Sequence, residues 1–180
     1  MDSITSSYID SVVNRASNRV MLDVGCGTNK EQGWIGMDSV DAPGVDVVHS
    51  MVKFPWPFED NSIWHIRCVH VMEHVPMTCM CCEDQVDPLF RILDEFWRIL
   101  EPGGKVRIVS PHASNTLRAW RDPTHRRAIT EETFHYANAG KRVEWGVSHY
   151  PVACDFQVSY GFVTDEHGVI QDINVELMKP

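Results

Sequence analysis

Two glycines and a carboxylate have the spacing that a nucleoside-binding turn needs. Gly25 and Gly27 flank Cys26 directly after the apolar run that ends at Val24, and Asp38 ends a second short apolar run. Glycine allows a tight turn and a close approach of ligand to backbone, while a carboxylate at the next strand end can accept hydrogen bonds from both hydroxyls of a ribose. We therefore predict nucleoside binding here. The alternative is an ordinary turn at a strand end.

The same stretch is poorly suited to a dinucleotide. The dinucleotide pattern has a third glycine three residues after Gly27, where this chain has Lys30. Only ten residues, 28–37, separate Gly27 from Asp38, so a helix between the two strands has at most about one or two turns. A pyrophosphate would need the amides at the start of such a helix. S-adenosylmethionine carries no phosphate, and these features favour it as the cofactor.

A second group of polar side chains, after the predicted fifth strand, could bind a methyl acceptor. A methyl group on a sulfonium is already activated, so the protein must align the acceptor, exclude water and assist the loss of any proton. We predict His125 as the proton acceptor, oriented by Asp122. Pro111 and Pro123 interrupt any continuous helix, which predicts a loop able to lie over the cofactor. The other candidates are His112, which we group with the catalytic residues and expect to bind the acceptor, and Asn115, Arg126 and His135 as acceptor-binding residues.

These candidates also have structural interpretations. Asp122-Pro123-Thr124 could be a turn that caps the next helix, with Arg121 and Arg127 solvated. In the same way, Asp38 could be a turn former and His70 a satisfied interior histidine, while Glu73 and His74 could cap or orient a strand-to-helix junction.

The six cysteines do not form a familiar metal motif. Cys79, Cys81 and Cys82 lack the two-residue gap of zinc knuckles, although His70 and His74 are near in sequence. We expect free thiols in a loop and no metal site. Small apolar packing residues are expected at Cys26, Cys68 and Cys154.

Hydrophobic periodicity predicts the elements that position these residues. Helical spacing over residues 3–16 predicts a leading helix. Apolar residues at i, i+3, i+4, i+7 and i+11 from Leu89 to Leu100 predict an amphipathic helix, which Pro102-Gly103-Gly104 would stop. Buried strands are predicted at Arg19–Val24, Trp34–Met37, Val45–His49, Ile63–Val71 and Lys105–Ser110.

The end of the chain has a period of two. Apolar residues alternate over 156–162 and again over 173–177, on either side of a turn at 165–168, which predicts an antiparallel hairpin. The predicted fold is α/β: a Rossmann-like, mostly parallel sheet with helices on both faces, a shortened first crossover helix and this closing hairpin. We divide one domain, 1–180, into a leading helix (1–18), a cofactor-binding core (19–110), an acceptor-binding insertion (111–150) and the hairpin (151–180).

Composition limits the partners. The 180 residues carry a formal charge of −9, which disfavours nucleic acid as a partner, although Arg118, Arg121, His125, Arg126 and Arg127 concentrate positive charge locally. Neither a signal peptide nor a membrane span is visible, so we expect a cytoplasmic protein with no membrane partner. A homodimer is possible through the apolar edge of the hairpin.

Six motifs occur in the order found in one enzyme superfamily. Between about Arg19 and Phe134 the chain resembles a small class I S-adenosylmethionine-dependent methyltransferase. The combination of EHV with a helix ending in RILEPGG before a strand is the most specific part. The motifs are LDVGCGTNK, GWIGMD, FPWPFEDNSI, HVMEHV, LDEFWRILEPGGKVRIVSPH and DPTHRRAIT.

The resemblance implies a set of cofactor contacts. Asp38 would bind the ribose hydroxyls, and His70 would lie beside the methionine chain. The chain departs from the family pattern at Asn29, in place of a small glycine, at Ser50, in place of an aspartate at the adenine amino group, and at Trp64, in place of an aspartate. The other implied contacts are the Asp23 carboxylate and the amides of Gly25, Cys26 and Gly27 at the methionine portion, and Ser50 with Met51 at adenine.

We therefore expect methyl transfer to a hydroxyl or amine of a small molecule or glycan by in-line displacement. An alternative is a catalytically inactive S-adenosylmethionine-binding partner module, which the departures from the pattern would explain. A further alternative is a nicotinamide-dependent oxidoreductase, which Lys30 and the short crossover disfavour.

Overall fold

A computed structural model describes residues 19–78 and 86–180. The predicted leading helix and Cys79, Cys81 and Cys82 lie outside these residues. The strands are β1 (Met21–Val24), β2 (Ile35–Asp38), β3 (Val47–Val48), β4 (Ile63–Val69), β5 (Leu100–Pro111), β6 (Gln157–Thr164) and β7 (Ile170–Met178). The helices are α1 (Pro88–Ile99), α2 (Thr116–Trp120), α3 (Glu131–His135) and α4 (Ala139–Glu144), with a 3-10 turn at Met72–His74.

The seven strands form one sheet in the order β3-β2-β1-β4-β5-β7-β6. β1 to β5 are parallel to one another, whereas β7 pairs antiparallel with both β5 and β6. The predicted Rossmann-like, mostly parallel sheet with a C-terminal antiparallel hairpin is confirmed. This order places β1 and β4 at the centre, with their carboxyl ends side by side.

The core lies on one face of the sheet and under α1. Paired positions on the central strands supply fully buried side chains, among them Leu22 beside Ile66 and Ile108 beside Val175. Helix α1 begins where the Asp87 carboxylate accepts a hydrogen bond from the Leu89 amide. Its apolar stripe, including the fully buried Phe96, joins this core. α1 is thus held at both its cap and its buried face.

The predicted helix stop is placed too late. α1 ends at Ile99, and Pro102-Gly103-Gly104 already belongs to β5. The Gly103 amide donates to the Lys179 carbonyl, and a β-carbon at Gly104 would lie 2.9 Å from the Trp64 carbonyl oxygen. These glycines therefore let β5 start close to its neighbours.

The first crossover is shorter than predicted. Residues 25–34 form turns and irregular backbone, with no helix among them. A partly buried ion pair stabilises this loop: Lys30 Nζ lies 2.8 Å from an oxygen of Asp46, and the same carboxylate accepts the Gly36 amide at 2.7 Å. The amides of a crossover-helix N-terminus are therefore missing from the edge where a pyrophosphate would need them.

Candidate active site

The carboxyl ends of β1, β2 and β4 surround a cavity of about 280 Å³. Because parallel strands end at the same edge, residues distant in sequence meet here. Five of the predicted cofactor residues line it: Gly25, Asp38, Ser50, Met51 and His70. We call this space the β1–β4 cavity; its other lining residues are Val24, Met37, Ser39, His49, Val71 and His74.

Gly25 is required at the bottom of this cavity for two reasons. Its φ of +66° lies in the left-handed region that side chains disfavour. In addition, a β-carbon at Gly25 would overlap the Val71 side chain. The glycine therefore lets the end of β1 approach the chain that follows β4.

The amides of this turn correct one expectation from the sequence. The Gly25 and Cys26 amides donate to the Met37 carbonyl, at 2.7 and 3.4 Å, and the Gly27 amide donates to Asp38 Oδ2 at 2.9 Å. Without a crossover helix the turn folds back onto β2, so all three amides are engaged inside the protein. They are not free donors for the methionine portion of a cofactor.

Asp23 corrects a second expectation. Its carboxylate is fully buried and accepts from Arg67 Nη1 at 2.8 Å and from the Glu31 amide at 2.9 Å. Side chains of successive strand residues point to opposite faces, and Asp23 is not among the residues that line the β1–β4 cavity. Asp23 links β1 to β4 and the crossover loop instead.

Asp38 lies where the sequence predicts a ribose-binding carboxylate. Besides the Gly27 amide, it accepts the Val40 amide on Oδ1 at 3.1 Å. An ionised carboxylate offers about four lone-pair sites, so acceptor capacity remains for ligand hydroxyls. Two backbone donors therefore fix the orientation of the group that faces the β1–β4 cavity.

His70 follows directly after β4 and has a constrained backbone conformation. Its φ is +56°, which is uncommon for a residue with a side chain and is often found at functional sites. The amide donates to the Val109 carbonyl, and Nδ1 lies 3.3 Å from Glu73 Oε1. This hydrogen bond to Glu73 raises the pKa of His70 despite partial burial.

Cys26 also belongs to this turn but is not a nucleophile. Burial, together with the negative charges of Asp23 and Asp38, raises the pKa of its thiol to about 11. The thiol therefore stays protonated near neutral pH. Its role is packing, beside Gly36.

A second cavity, of about 210 Å³, adjoins the first. His70 and His74 line both, so a ligand in one would meet a ligand in the other. We call it the His125 cavity; its other lining residues are Glu73, Pro111, Arg118, Arg121, Asp122 and His125.

His125 and Asp122 are brought together, but not in the predicted arrangement. His125 Nδ1 lies 2.5 Å from the Ala119 carbonyl oxygen, which orients the ring. The Asp122 carboxylate instead accepts from the amide and the hydroxyl of Thr124, and these bonds lower the pKa of Asp122. The His125 amide also donates to the Asp122 carbonyl. The stretch from Asp122 to Thr124 is thus an Asp-Pro turn, but it does not cap a helix, because residues 125–128 are irregular and α3 begins only at Glu131.

His112 and Asn115 have structural roles and line neither cavity. His112 is buried, with Nδ1 2.7 Å from Ser114 Oγ and Nε2 3.0 Å from Glu131 Oε2. Asn115 caps α2 by accepting the Arg118 amide, and its side-chain amide donates to the Ile170 carbonyl. The expectation that they bind an acceptor is therefore corrected, because their polar atoms are already engaged.

The arginines that line the His125 cavity are not the one predicted to bind the acceptor. Arg126 is exposed and donates to the Pro123 carbonyl, whereas Arg118 and Arg121 line the His125 cavity. Arg127 is not solvated: it is buried and donates to two carbonyls and to Asp87. His135 packs against Trp145 and Tyr160 and lines neither cavity. Its Nδ1 is buried and has no hydrogen-bond partner among the residues that the structure describes.

Two residues central to the site were not among the predicted site residues. Glu73 and His74 form the 3-10 turn after β4 and line the His125 cavity. Glu73 is buried; burial alone would raise its pKa, but hydrogen bonds, chiefly from His70 and also from Ser110, lower it overall. Their position just after a central strand could have identified them as site residues, because ligands bind at the carboxyl ends of the strands in such sheets.

Comparisons with known proteins find the same fold. No family model and no curated protein matches the chain. An Archaeoglobus fulgidus SAM-dependent methyltransferase superposes with a TM-score of 0.63 at 18% identity, over 97% of this chain and 90% of that one. The Haloferax volcanii putative methyltransferase, solved in complex with the Trm112 methyltransferase activator, gives 0.56 at 12% identity, over 99% and 95%.

A third structure extends the likeness. Geranyl diphosphate C-methyltransferase from Streptomyces coelicolor, solved with Mg²⁺, geranyl diphosphate and S-adenosyl-L-homocysteine, has a TM-score of 0.57 at 11% identity, over 97% of this chain and 78% of that one. Strand order, reversed hairpin and these superpositions agree: the chain has the fold of the class I S-adenosylmethionine-dependent methyltransferases.

Proposed function

We propose that this protein is an S-adenosylmethionine-dependent methyltransferase that methylates a hydroxyl or amine of a small molecule or glycan. The observation that carries the proposal is the pair of adjoining cavities that share His70 and His74. One has a ribose-type carboxylate and no pyrophosphate donors. The other contains imidazoles and guanidinium groups. Two ligands would therefore meet at the shared histidines.

The β1–β4 cavity would hold the cofactor. Asp38 would accept from the ribose hydroxyls, and Ser50 with Met51 would contact the adenine. When bound, S-adenosylmethionine supplies a methyl group that its sulfonium already activates. The chain then has to orient the acceptor in line with that methyl group and exclude water.

The His125 cavity would hold the acceptor. His74 and His125 are within reach of a hydroxyl or ammonium in this small space and would assist the loss of its proton. Arg121 is exposed at the cavity and would attract an anionic part of the acceptor. Arg118 is less available, because it forms two hydrogen bonds to the Asp172 carboxylate.

Charge and thiols bear on the partners and the compartment. The formal charge of −9 opposes phosphate binding, which favours an acceptor other than nucleic acid. Cys26, Cys68 and Cys154 are buried free thiols, in keeping with a reducing cytoplasm. Within residues 19–78 and 86–180, no helix has the length and apolar character to cross a bilayer.

We also infer that the edge strand β6, with Tyr160 and Phe162 exposed, could pair with a second copy.

One observation favours an inactive cofactor-binding module instead. The amides of Gly25, Cys26 and Gly27 and the Asp23 carboxylate are all engaged within the protein, which leaves fewer contacts for a methionine portion. Such a module would bind S-adenosylmethionine without transferring its methyl group.

Calorimetric titration with S-adenosylhomocysteine and, separately, NAD⁺ tests the cofactor. We expect binding of the former only; preferential NAD⁺ binding would overturn the proposal. Labelled S-adenosylmethionine with a panel of alcohols, amines and glycans then tests transfer. Cofactor binding with no transfer to any acceptor would favour the inactive module.

A further inference from the structure

We propose that Glu73, His74 and His125 bind a divalent first-row transition-metal ion at the boundary of the two cavities. One ligand atom from each of the three residues lies within 4.8 Å of the others. This inference deepens the proposed function, because the ion would lie where the acceptor is expected. The sequence alone predicted no metal here.

Hydrogen bonding fixes the tautomer of His125. Its Nδ1 contacts the Ala119 carbonyl oxygen at 2.5 Å. A carbonyl can only accept, so Nδ1 carries the proton and donates it. In the neutral ring Nε2 then has a free lone pair. This is the arrangement of metal-binding histidines, whose second nitrogen donates to a carbonyl or carboxylate.

A relay of three groups fixes His74 in the same way. The Thr124 hydroxyl lies 2.6 Å from Asp122 Oδ1, and the carboxylate, ionised near neutral pH, can only accept, so the hydroxyl proton is committed to it. Thr124 Oγ1 lies 3.0 Å from His74 Nδ1 and must therefore accept from it. His74 Nδ1 is protonated and its Nε2 has the lone pair. Two neighbouring imidazoles thus offer the nitrogen that a metal needs.

Glu73 supplies a carboxylate that is held in place. It is 2% exposed, and its Oε2 accepts from Ser110 Oγ at 2.7 Å while Oε1 contacts His70. Each carboxylate oxygen has two lone pairs, so coordination remains open to both. Ser110 and His70 act as outer partners of the kind that orient carboxylate ligands.

The two segments that carry the ligands are joined by backbone contacts. The Arg126 and Arg127 amides both donate to the Glu73 carbonyl, at 2.7 and 3.1 Å. The rings of His74 and His125 lie edge to face with centroids 4.7 Å apart. In a tetrahedral site with metal–ligand bonds of about 2.1 Å, the ligand atoms are about 3.4 Å apart. Side-chain movements that shift these ligand atoms by about 1 Å would therefore bring all three within bonding distance of one ion.

The donor set indicates the class of ion. Two imidazole nitrogens and one carboxylate oxygen suit Zn²⁺, Co²⁺, Fe²⁺ or Mn²⁺, whereas Mg²⁺ and Ca²⁺ prefer oxygen donors alone. Three protein ligands leave at least one position open, as in catalytic metal sites. That position would bind an acceptor oxygen and lower the pKa of its hydroxyl. His125 would then be a ligand rather than the proton acceptor, and an alcohol the acceptor class.

The methyl transfer balances with this role. With the ion bound, the acceptor hydroxyl would release its proton to solvent water. The oxygen lone pair would then form the new bond to the methyl carbon, and the electron pair of the sulfur–carbon bond would return to sulfur. The products are an ether and neutral S-adenosylhomocysteine.

The test is Co²⁺ binding to metal-stripped protein, without cofactor, followed by calorimetry and visible absorption. Cys79, Cys81 and Cys82 are replaced by serine in every sample, because thiolates could bind Co²⁺ independently. We expect one equivalent with the weak visible bands of nitrogen and oxygen ligation. His74→Gln and His125→Gln should each lower the affinity at least about tenfold, since even outer-shell changes cost about 10- to 100-fold.

Two further variants separate the inference from simpler explanations. Thr124→Val removes the hydrogen-bond acceptor for His74 Nδ1 but leaves all three proposed ligand residues in place, and it should weaken Co²⁺ binding by about tenfold or more. His167→Gln, an exposed histidine of the turn between β6 and β7 that lines neither cavity, should leave it unchanged. No Co²⁺ binding by the parent protein, or equal binding by the parent and both ligand variants, overturns the inference. Calorimetry with S-adenosylhomocysteine reports on the proposed function separately.

Discussion

Asp38 has a structural task and a proposed ligand-binding task at the same time. Its carboxylate accepts the Gly27 and Val40 amides, and it lines the β1–β4 cavity. Asp38→Asn keeps an oxygen for one amide but loses the charge that strengthens bonds to ribose hydroxyls. Because hydrogen bonds to charged groups contribute about 1.5–3 kcal/mol, we expect S-adenosylhomocysteine affinity to fall by about tenfold or more in calorimetry.

The control for this change is Asp41→Asn, an exposed aspartate three residues further on. It alters the net charge equally and should leave the affinity unchanged. If Asp38→Asn also binds normally while the protein stays folded, the ribose assignment is wrong. Circular dichroism of both variants checks the fold.

The sequence predicts which residues line the cavity better than it predicts their hydrogen-bond partners. Asp38, Ser50, Met51 and His70 meet in one cavity because strand order alone brings them together. The orientation of His125 by Ala119 and the burial of Asp23 against Arg67 depend on contacts between distant segments. Contacts between distant segments produce no local sequence pattern. For the same reason, the hydrogen bonds of His112 and Asn115 could not be predicted.

The buried carboxylate of Glu95 is at the centre of the hydrogen bonds between helix α1 and the loop before β4. Glu95 accepts the Trp56 amide at 2.8 Å and two hydrogen bonds from Arg98. Glu95→Ala would leave a buried amide and a half-buried guanidinium without that partner. We expect the free energy of unfolding to fall by about 2–3 kcal/mol, measured by urea denaturation.

Glu59→Ala is the matched change, because Glu59 is an exposed glutamate of the same loop. Exposed substitutions usually change stability by less than about 0.5 kcal/mol. Equal stability losses in the two variants would mean that the buried network contributes nothing special. Neither measurement requires a bound ligand.

Periodicity predicted the element types, but only some of the element ends. The stripe from Leu89 to Leu100 predicts α1 to within one residue at each end, because a 3.6-residue period with a cap is a strong signal. β4 ends before His70, whose left-handed backbone no residue-type rule would predict. The crossover has no helix, and an ion pair between Lys30 and Asp46, sixteen residues apart, stabilises it as a loop.

At the scale of the whole molecule, the sheet has one apolar and one polar face. Opposite the core, neighbouring strands present His65, Arg67, Lys105, Arg107 and Glu176. Lys105 and Glu176 pair at 2.8 Å. Burial, with the positive charges of Lys105 and Arg107, holds the pKa of His65 below its usual value despite Glu176.

This depressed pKa ties global stability to pH. Near and below the ordinary histidine pKa of about 6.5, the unfolded chain binds a proton at His65 that the folded chain resists. The unfolded state is therefore favoured as pH falls, and this contribution lowers the free energy of unfolding. We expect His65→Gln to lose less stability than the parent protein between about pH 7.5 and about pH 5.5 in urea denaturation.

His167→Gln serves as the control, because His167 is exposed in the hairpin turn and should follow the parent profile. His70 contributes with the opposite sign, since its raised pKa stabilises the fold at lower pH, and only a difference between variants isolates His65. Parallel profiles for His65→Gln and the parent would mean that the polar face leaves this imidazole as hydrated as it is in the unfolded chain. If only His65→Gln has a flatter pH profile of unfolding free energy, desolvation of the His65 imidazole contributes to the loss of stability at acidic pH.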